Sequence, residues 1–472
     1  LIPSMHILYS KEQYVFLDKH LQSNKYYCII FVVTSSNLNN CKYSPVLLHH
    51  RIMMIDNLVF QLKKNHTFKY KVVCLPHYHQ VDSFVDRLVK SVNVELVTGV
   101  NKETTDVYTF GVHIGSLFNA AGYTTFIQPG IDHTILFKEL FEKNNKEYFD
   151  TNISDGSKEV FTNQEEIIIQ VRKIWVDKIL KESGSITDNR NYNSYAFGMS
   201  NSDMIEVKYN DVKEYIVEGR ITDEGCADAA LFVPVARDFP DSDLIGIDIS
   251  NDFIARANEN IRRGLFGGSF VSILQANLME PIFDEACINT TICNLTMHEV
   301  WSYNNKYASV QEYLTLKYKQ LVEGGRILIR DVVGPIEKNT IVYLRSLEDK
   351  DNEHFKKFVQ DFKHLRKEDI AEEVLINSNL YHKTTLKLAS EYLLHKDYQD
   401  NWESELNEEF CHFSINDWKD ILLAQNFKIV KLSSYRSDWI TDNRYKNKVE
   451  LFDENMHLIE FPETNVVIVA EK

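Results

Sequence analysis

The chain has 472 residues and a formal charge of −16; 44% of its residues are hydrophobic and 25% charged. It is longer than one ordinary core, so two domains with insertions are expected, and the composition excludes wholesale disorder or a membrane-built chain. A large negative field repels phosphate backbones, so nucleic acid is not an expected partner.

Seven cysteines lie far apart, at 28, 41, 74, 226, 287, 293 and 411. Their number is odd and no CxxC pair or Cys/His metal spacing occurs. Reduced thiols in the cytoplasm, and no metal centre, are therefore expected. No run approaches the roughly 20 apolar residues that span a bilayer. The start lacks a basic stretch followed by an apolar core, so neither a membrane anchor nor a secretory signal is expected. The first residue is Leu1 and not methionine, and residues preceding it are expected. Nothing in the sequence sets the oligomeric state.

From the N-terminus, short apolar runs bounded by turn residues alternate with longer helical patterns, the mark of βαβ units. The first set covers roughly residues 1–150, with strands near 28–34, 71–75 and 94–98. The motif His77-Tyr78-His79 reads as an exposed loop, since a metal site needs more ligands than two histidines. A polar segment, Ser183–Asp203, reads as a linker or mobile loop. A second set follows, with strands near 216–223, 244–249, 270–275, 290–294 and 326–331, then 427–433 and 465–470. The last two have no helix-length apolar pattern between them and must pair antiparallel, because a parallel pair needs a crossover. The expected fold class is α/β, with two Rossmann-like domains. They occupy residues 1–160 and 211–472 and are joined by a helical and polar linker at 161–210. The second holds a seven-stranded sheet with an antiparallel last strand. An insertion at about 335–410, mostly helical in pattern, is the expected substrate lid.

The chemistry is expected at the carboxyl ends of the second set's strands, where ligands of parallel sheets sit. The first strand runs into Asp223-Glu224-Gly225-Cys226-Ala227-Asp228-Ala229, a turn of small residues before a helix. Small residues let backbone approach a ligand, and a helix N-terminus offers N–H groups to an anionic group. The second strand ends at Asp248, some twenty residues on, where a carboxylate can accept from ribose hydroxyls. The third ends before Asn277-Leu278, and the fourth in Asn294-Leu295-Thr296-Met297-His298-Glu299. Asn294, His298 and Glu299 are the catalytic candidates. A histidine near its ordinary pKa can take a proton from an attacking O–H or N–H, while proximity alone suffices for many such reactions. Arg330, Asp331 and Arg345 read as structural ion pairs or as contacts to a polar substrate.

The order D-x-G-x-A-x-A, the acid at Asp248, Asn277-Leu278, the string Asn294–Glu299 and Gly324-Gly325 resemble class I S-adenosylmethionine (SAM) methyltransferases. The resemblance covers roughly residues 211–350 and the last two strands. It implies that Asp223, Gly225, Ala227 and Ala229 line the methionine part of SAM, Asp248 the ribose, and Asn277 with Leu278 the adenine. The chain departs from the family at Ala227 and Ala229, where glycines are usual.

In the first set, Pro45–Ile55 with Arg51, Val72–Pro76, Leu96–Asn101, Ala121-Gly122-Tyr123 and Ile131–Thr134 follow in an order of their own. It resembles nucleotidylyltransferases of the nicotinamide-mononucleotide adenylyltransferase type. That resemblance implies a nucleoside triphosphate and Mg2+, with His6, Ser35, Arg51 and Thr134 at the nucleotide site. Two departures stand out: only Pro3-Ser4-Met5-His6 stands for the family's H-x-G-H, and Phe137 replaces the arginine of its late S-x-T-x-x-R turn.

The sequence thus points to a SAM-dependent methyltransferase acting on a small or medium polar metabolite, bifunctional if the first domain transfers nucleotidyl groups. A nicotinamide-dependent oxidoreductase and a SAM-binding scaffold with decayed sites are the alternatives.

Overall fold

A computed structural model describes residues 1–472 except 24–25, 39–40, 77–83, 97–98, 129, 178–179, 182–183, 185, 187–201 and 348. His77-Tyr78-His79 and nearly all of Ser183–Asp203 lie outside the described residues. Compactness divides the chain into two units. One is Leu1–Ile186 with Ile249–Asn258 and Leu274–Ala276; the other is Thr187–Asp248, Glu259–Ile273 and Asn277–Lys472.

In the first unit, β1 (Ile2–Ser4), β2 (Cys28–Val33) and β3 (Lys69–Cys74) form a parallel sheet in that order. β4 (Val107–Thr109) and β5 (Thr125–Ile127) form a second parallel pair. Tyr108 N–H donates to Leu1 O at 2.9 Å, which sets β4 beside β1 and reverses the strand order there. β2 is an unbroken apolar run because a central parallel strand is covered on both faces. The helix Leu48–Leu62 buries Met54, Ile55, Leu58, Val59 and Leu62, the spacing of one helical face. The strand expected near 94–98 is not one: the helix Phe84–Leu96 runs through residues 94–96. Phe84, Leu88 and Val92 recur every four residues on its buried side, and Val94 points outward at 70% exposure. The short apolar cluster was the tail of a helix, and the strand that follows, β4, has only three residues.

The second unit is built on seven strands: β6 (Arg220–Glu224), β7 (Asp243–Asp248), β8 (Phe270–Gln275), β9 (Ile288–Asn294), β10 (Leu321–Val332), β14 (Lys428–Tyr435) and β16 (Asn465–Glu471). Their order is β14-β16-β10-β9-β6-β7-β8. β6 pairs parallel with β7 and β9, and β9 with β10. β16 inserts antiparallel between β10 and β14, as the missing crossover requires. The helix Ile415–Ala424 begins at a capping box, Ser414 with Asp417, and buries Trp418, Ile421 and Leu422 beneath β14 and β16.

The insertion differs from its mostly helical expectation. β11 (Ile341–Ser346), β12 (Ala371–Ile376) and β13 (Asn379–Thr385) form an antiparallel sheet, completed by β15 (Val449–Phe452) in the order β12-β13-β11-β15. Asn377 and Ser378 both hold positive φ (49° and 63°), the two-residue turn whose twist suits a hairpin. β15 comes from the connection between β14 and β16, which reads as a loop in the sequence. The helices Asp349–Asp361 and Leu386–His395 cover this sheet with Phe355, Phe358, Leu388 and Tyr392.

Beneath β6 lies a charge pair the sequence did not announce. Lys317 Nζ sits 2.7 Å from Glu224 Oε1, both side chains wholly buried. Tyr313, one turn earlier on the helix Lys306–Gln320, donates its hydroxyl to Glu224 Oε2 at 2.7 Å. Breaking such a pair strands a buried charge. Lys317→Met is expected to destabilise the chain by about 3–5 kcal/mol in urea unfolding, and adding Glu224→Gln to recover most of that loss.

Candidate active site

The turn after β6 is left-handed three times over. Gly225, Ala227 and Ala229 have φ of +78°, +48° and +62°. Gly225 cannot be otherwise: a Cβ there would stand 2.4 Å from Thr296 Oγ1. Ala227 and Ala229 thus hold left-handed backbone at the two positions where the resembled family usually has glycine. Gly225 N–H and Cys226 N–H both donate to Ile247 O, at 2.9 and 3.0 Å, and Ala227 N–H donates to Asp248 Oδ2 at 2.9 Å. Asp248 thus ties the end of β7 to the turn after β6 and holds its carboxylate against the turn.

The turn is acidic. Asp223, Asp228 and Asp248 gather there with Glu224 behind, and Lys208 answers them from the helix Ser202–Asn210. Burial, reinforced by Asp248, Glu224 and Asp228 against the pull of Lys208, pushes the Asp223 carboxyl up to about 7. Burial and Arg330, opposed by Asp223 and Asp228, bring the Lys208 ammonium down to about 8. Such a cradle suits a cationic ligand. Asn277 folds back locally, Oδ1 accepting from Met279 N–H at 3.0 Å, and Leu278 packs partly buried against the core.

At the end of β9, Asn294 Oδ1 is buried with no hydrogen-bond partner among the described residues. Leaving such an acceptor dry costs about 1–3 kcal/mol, which a donor on a bound ligand would relieve. His298 follows on the short helix Met297–Ser302. Its Nδ1 lies 2.7 Å from Asp331 Oδ1 and its Nε2 3.4 Å from Glu408 Oε2. Burial disfavours the imidazolium, but the two carboxylates outweigh it and hold His298 well above its ordinary value. Both ring nitrogens of His298, the expected general base, thus face carboxylates. Glu299 lies half-buried beside it, its carboxylate within reach of Glu408. Arg330 is spent on Asp211 at 2.8 Å, and Arg345 on Glu450 at 3.3 Å.

The segment from Glu408 to His412 closes over this point. Glu408 Oε1 accepts from Tyr303 OH at 3.0 Å. Glu409 accepts from Trp301 Nε1 at 2.7 Å and pairs with Lys306 and Lys387. Phe410 and Cys411 donate their N–H groups to the buried Glu391 carboxylate at 3.1 and 2.8 Å. Residue spacing held no sign of this strap, because its partners come from three separate helices.

In the first unit a cavity of about 300 Å³ opens at the carboxyl ends of β1 to β4, where the strand order reverses. His6 and Ser35 line it; Arg51 and Thr134 do not. His6 is buried, bonded to Tyr9 OH and Ile2 O, and burial lowers it to about 3. Arg51, wholly buried, donates to the carbonyls of Met5, Thr34, Ser35, Ser36 and Leu38. It staples the loops after β1 and β2 and is not presented to a phosphate. Thr134 N–H is taken by the Asp132 cap of the helix His133–Phe141. Phe137, at the position of the family's arginine, is a core residue packed on Phe149, Phe161 and Trp175.

Residues 217–409 match a family model described as a methyltransferase domain. Among curated proteins none matches the sequence. Similar solved structures include a SAM-dependent methyltransferase from Archaeoglobus fulgidus, with 14% identity over 60% of this chain and 100% of that one, at a TM-score of 0.35. Another is geranyl diphosphate C-methyltransferase from Streptomyces coelicolor A3(2), with 8% identity over 60% and 85% and a TM-score of 0.34. A possible histamine N-methyltransferase from Thermotoga maritima shows 13% identity over 60% and 97%, with a TM-score of 0.33. No described helix is long and apolar enough to cross a membrane.

Two outcomes are expected of the turn. Ala229→Gly relieves a left-handed alanine and should stabilise the chain by about 1 kcal/mol in urea unfolding. Asp223, raised to about 7, is neutral below that pH and anionic above it. A cationic ligand such as SAM should then bind more tightly as pH rises from about 6 to about 8, with proton release detected by calorimetry in buffers of different ionisation heat. Asp223→Asn should flatten that dependence.

Proposed function

We propose that the second unit binds SAM in the turn after β6 and transfers its methyl group to a small or medium polar acceptor at the ends of β9 and β10. The observation that carries this reading is the acidic turn itself. Three aspartates around a left-handed turn complement the ammonium and sulfonium charges of SAM and the donor hydroxyls of its ribose. The same carboxylates would repel the pyrophosphate of a nicotinamide dinucleotide, which disfavours the oxidoreductase alternative. SAM supplies an electrophilic methyl group on a good leaving group. The chain's part is to orient it in line with the acceptor lone pair and to exclude water. A new bond then forms to the methyl carbon as the carbon–sulfur bond breaks, its electrons going to sulfur, and the acceptor proton leaves for solvent. Asn294 Oδ1, buried and unmatched, is placed to accept from the acceptor or from the SAM ammonium.

For the first unit we infer a small-ligand module in the cytoplasm, without the nucleotidyl-transfer chemistry of the resembled family. The cavity at the strand reversal supports ligand binding. The staple role of Arg51 and the core role of Phe137 speak against transfer through those positions.

Calorimetric titration with S-adenosylhomocysteine tests the principal reading. Binding to the parent is expected, with a loss of about 30- to 1,000-fold in Asp248→Ala. Asp248→Asn keeps an oxygen for Ala227 N–H and separates the ligand contact from the fold of the turn. Parent-like affinity in Asp248→Ala would sink the assignment of the turn. Tight binding with SAM left unconsumed in metabolite extracts would favour the scaffold alternative.

A further inference from the structure

We infer that His298, Glu299 and Glu408 form a binding site for one first-row divalent cation, of the Mn2+ or Zn2+ type, beside the turn that holds SAM. One ligand atom from each residue lies within 4.8 Å of the others. His298 is 5% exposed and Glu408 1%, so the donors meet in a buried place and not on a solvated face. The ring is oriented for ligation: Nδ1 faces Asp331 Oδ1 at 2.7 Å, which leaves Nε2 directed at Glu408. A carboxylate behind the far nitrogen of a histidine is the usual support of a metal ligand, fixing the tautomer and raising the basicity of the ligating atom.

Charge balance points the same way. Asp331, Glu408 and Glu299 bring three carboxylates to one histidine. A second histidine stands close. His412 is 3% exposed, its Nδ1 lies 3.3 Å from Phe410 O, its Nε2 is buried without a partner among the described residues, and it lies in the field of Asp331 and His298. One imidazole with two carboxylates is a mixed nitrogen and oxygen set. It suits Mn2+ and Zn2+ better than Mg2+, which prefers oxygen and keeps its waters.

The position gives the cation a use. Thr296 touches Gly225 and donates to Glu224 O at 3.2 Å, so the His298 helix starts against the SAM turn. A cation there would bind an oxygen or nitrogen of the acceptor and lower its pKa. This use rests on the methyl-transfer reading; the binding of the ion does not.

The test uses the full chain, stripped with a chelator and titrated with MnCl2 while the free-ion electron paramagnetic resonance signal is followed; ZnCl2 is added in competition. One Mn2+ per chain, displaced by Zn2+, is expected. Glu299→Gln and Glu408→Gln should each weaken it at least tenfold, and Asp331→Asn by about 10- to 100-fold. Glu372→Gln, on the exposed strand β12, should leave it unchanged. If Glu408→Gln does not fold, the half-buried Glu299→Gln decides alone. A parent chain that takes up no Mn2+ or Zn2+, or binding that ignores Glu299→Gln, overturns the inference. A parallel titration with S-adenosylhomocysteine separates the two failures: loss of the ion site with intact nucleoside binding leaves the methyl-transfer reading standing.

Discussion

The second unit turns on one carboxylate. Asp331 is wholly buried at the end of β10 and accepts four hydrogen bonds: from Met297 N–H, His298 N–H, the His298 ring and Val332 N–H. Two of these satisfy the first amides of the helix Met297–Ser302, the usual duty of a capping residue. Here the cap is supplied by the neighbouring strand and not by the residue before the helix. The ends of β9 and β10 are therefore locked together at the point where a ligand of this fold would sit. Burying a charge there is costly unless it is fully bonded; against that burial His298, by charge and by its ring hydrogen bond, leads in holding the Asp331 pKa down, with His412 and the Val332 N–H behind it.

The same economy governs the strap over the site. Glu391 is buried and pushed up to about 8, burial leading and Glu409 adding to it against Lys387. Glu409 is drawn down to about 2, since Lys387 and the bonds from Trp301 and Lys387 overcome its burial. Two carboxylates with opposite tendencies share one lysine, so the strap's position is fixed by electrostatics as much as by packing. Gly334, on the chain leaving β10, leaves no room for a side chain: a Cβ would stand 2.9 Å from Cys411 O. The exit of the sheet and the strap touch through backbone, which couples the insertion to the strand ends.

The turn after β6 shows how one conformation can be reached by an unusual sequence. Its backbone is left-handed at Ala227 and Ala229, a geometry that disfavours any side chain. The bonds from Gly225 and Cys226 to Ile247 O and from Ala227 to Asp248 hold it there. Tertiary hydrogen bonds thus replace the conformational freedom of glycine, and the acid needed at the end of β7 is one of the groups that does so.

How much was legible follows from range. The seven strands of the second sheet, the small-residue turn and the antiparallel pairing of β16 could be read because apolar periodicity and a missing crossover are local facts. The end of the helix at 84–96 reads as a strand because Val94 and Leu96 alternate with Glu95, and β15 escapes because four residues give no period. The triad His298, Asp331 and Glu408 was beyond the sequence. Its members sit on a helix start, a strand end and a distant strap, and only the crossovers bring them within hydrogen-bonding distance. Residue type and spacing determine which segments become strands and which turns can face a ligand. The ion pairs of His298, the staple of Arg51 and the meeting of three carboxylates were decided by tertiary structure, because burial and neighbouring charge do not exist until the chain has folded.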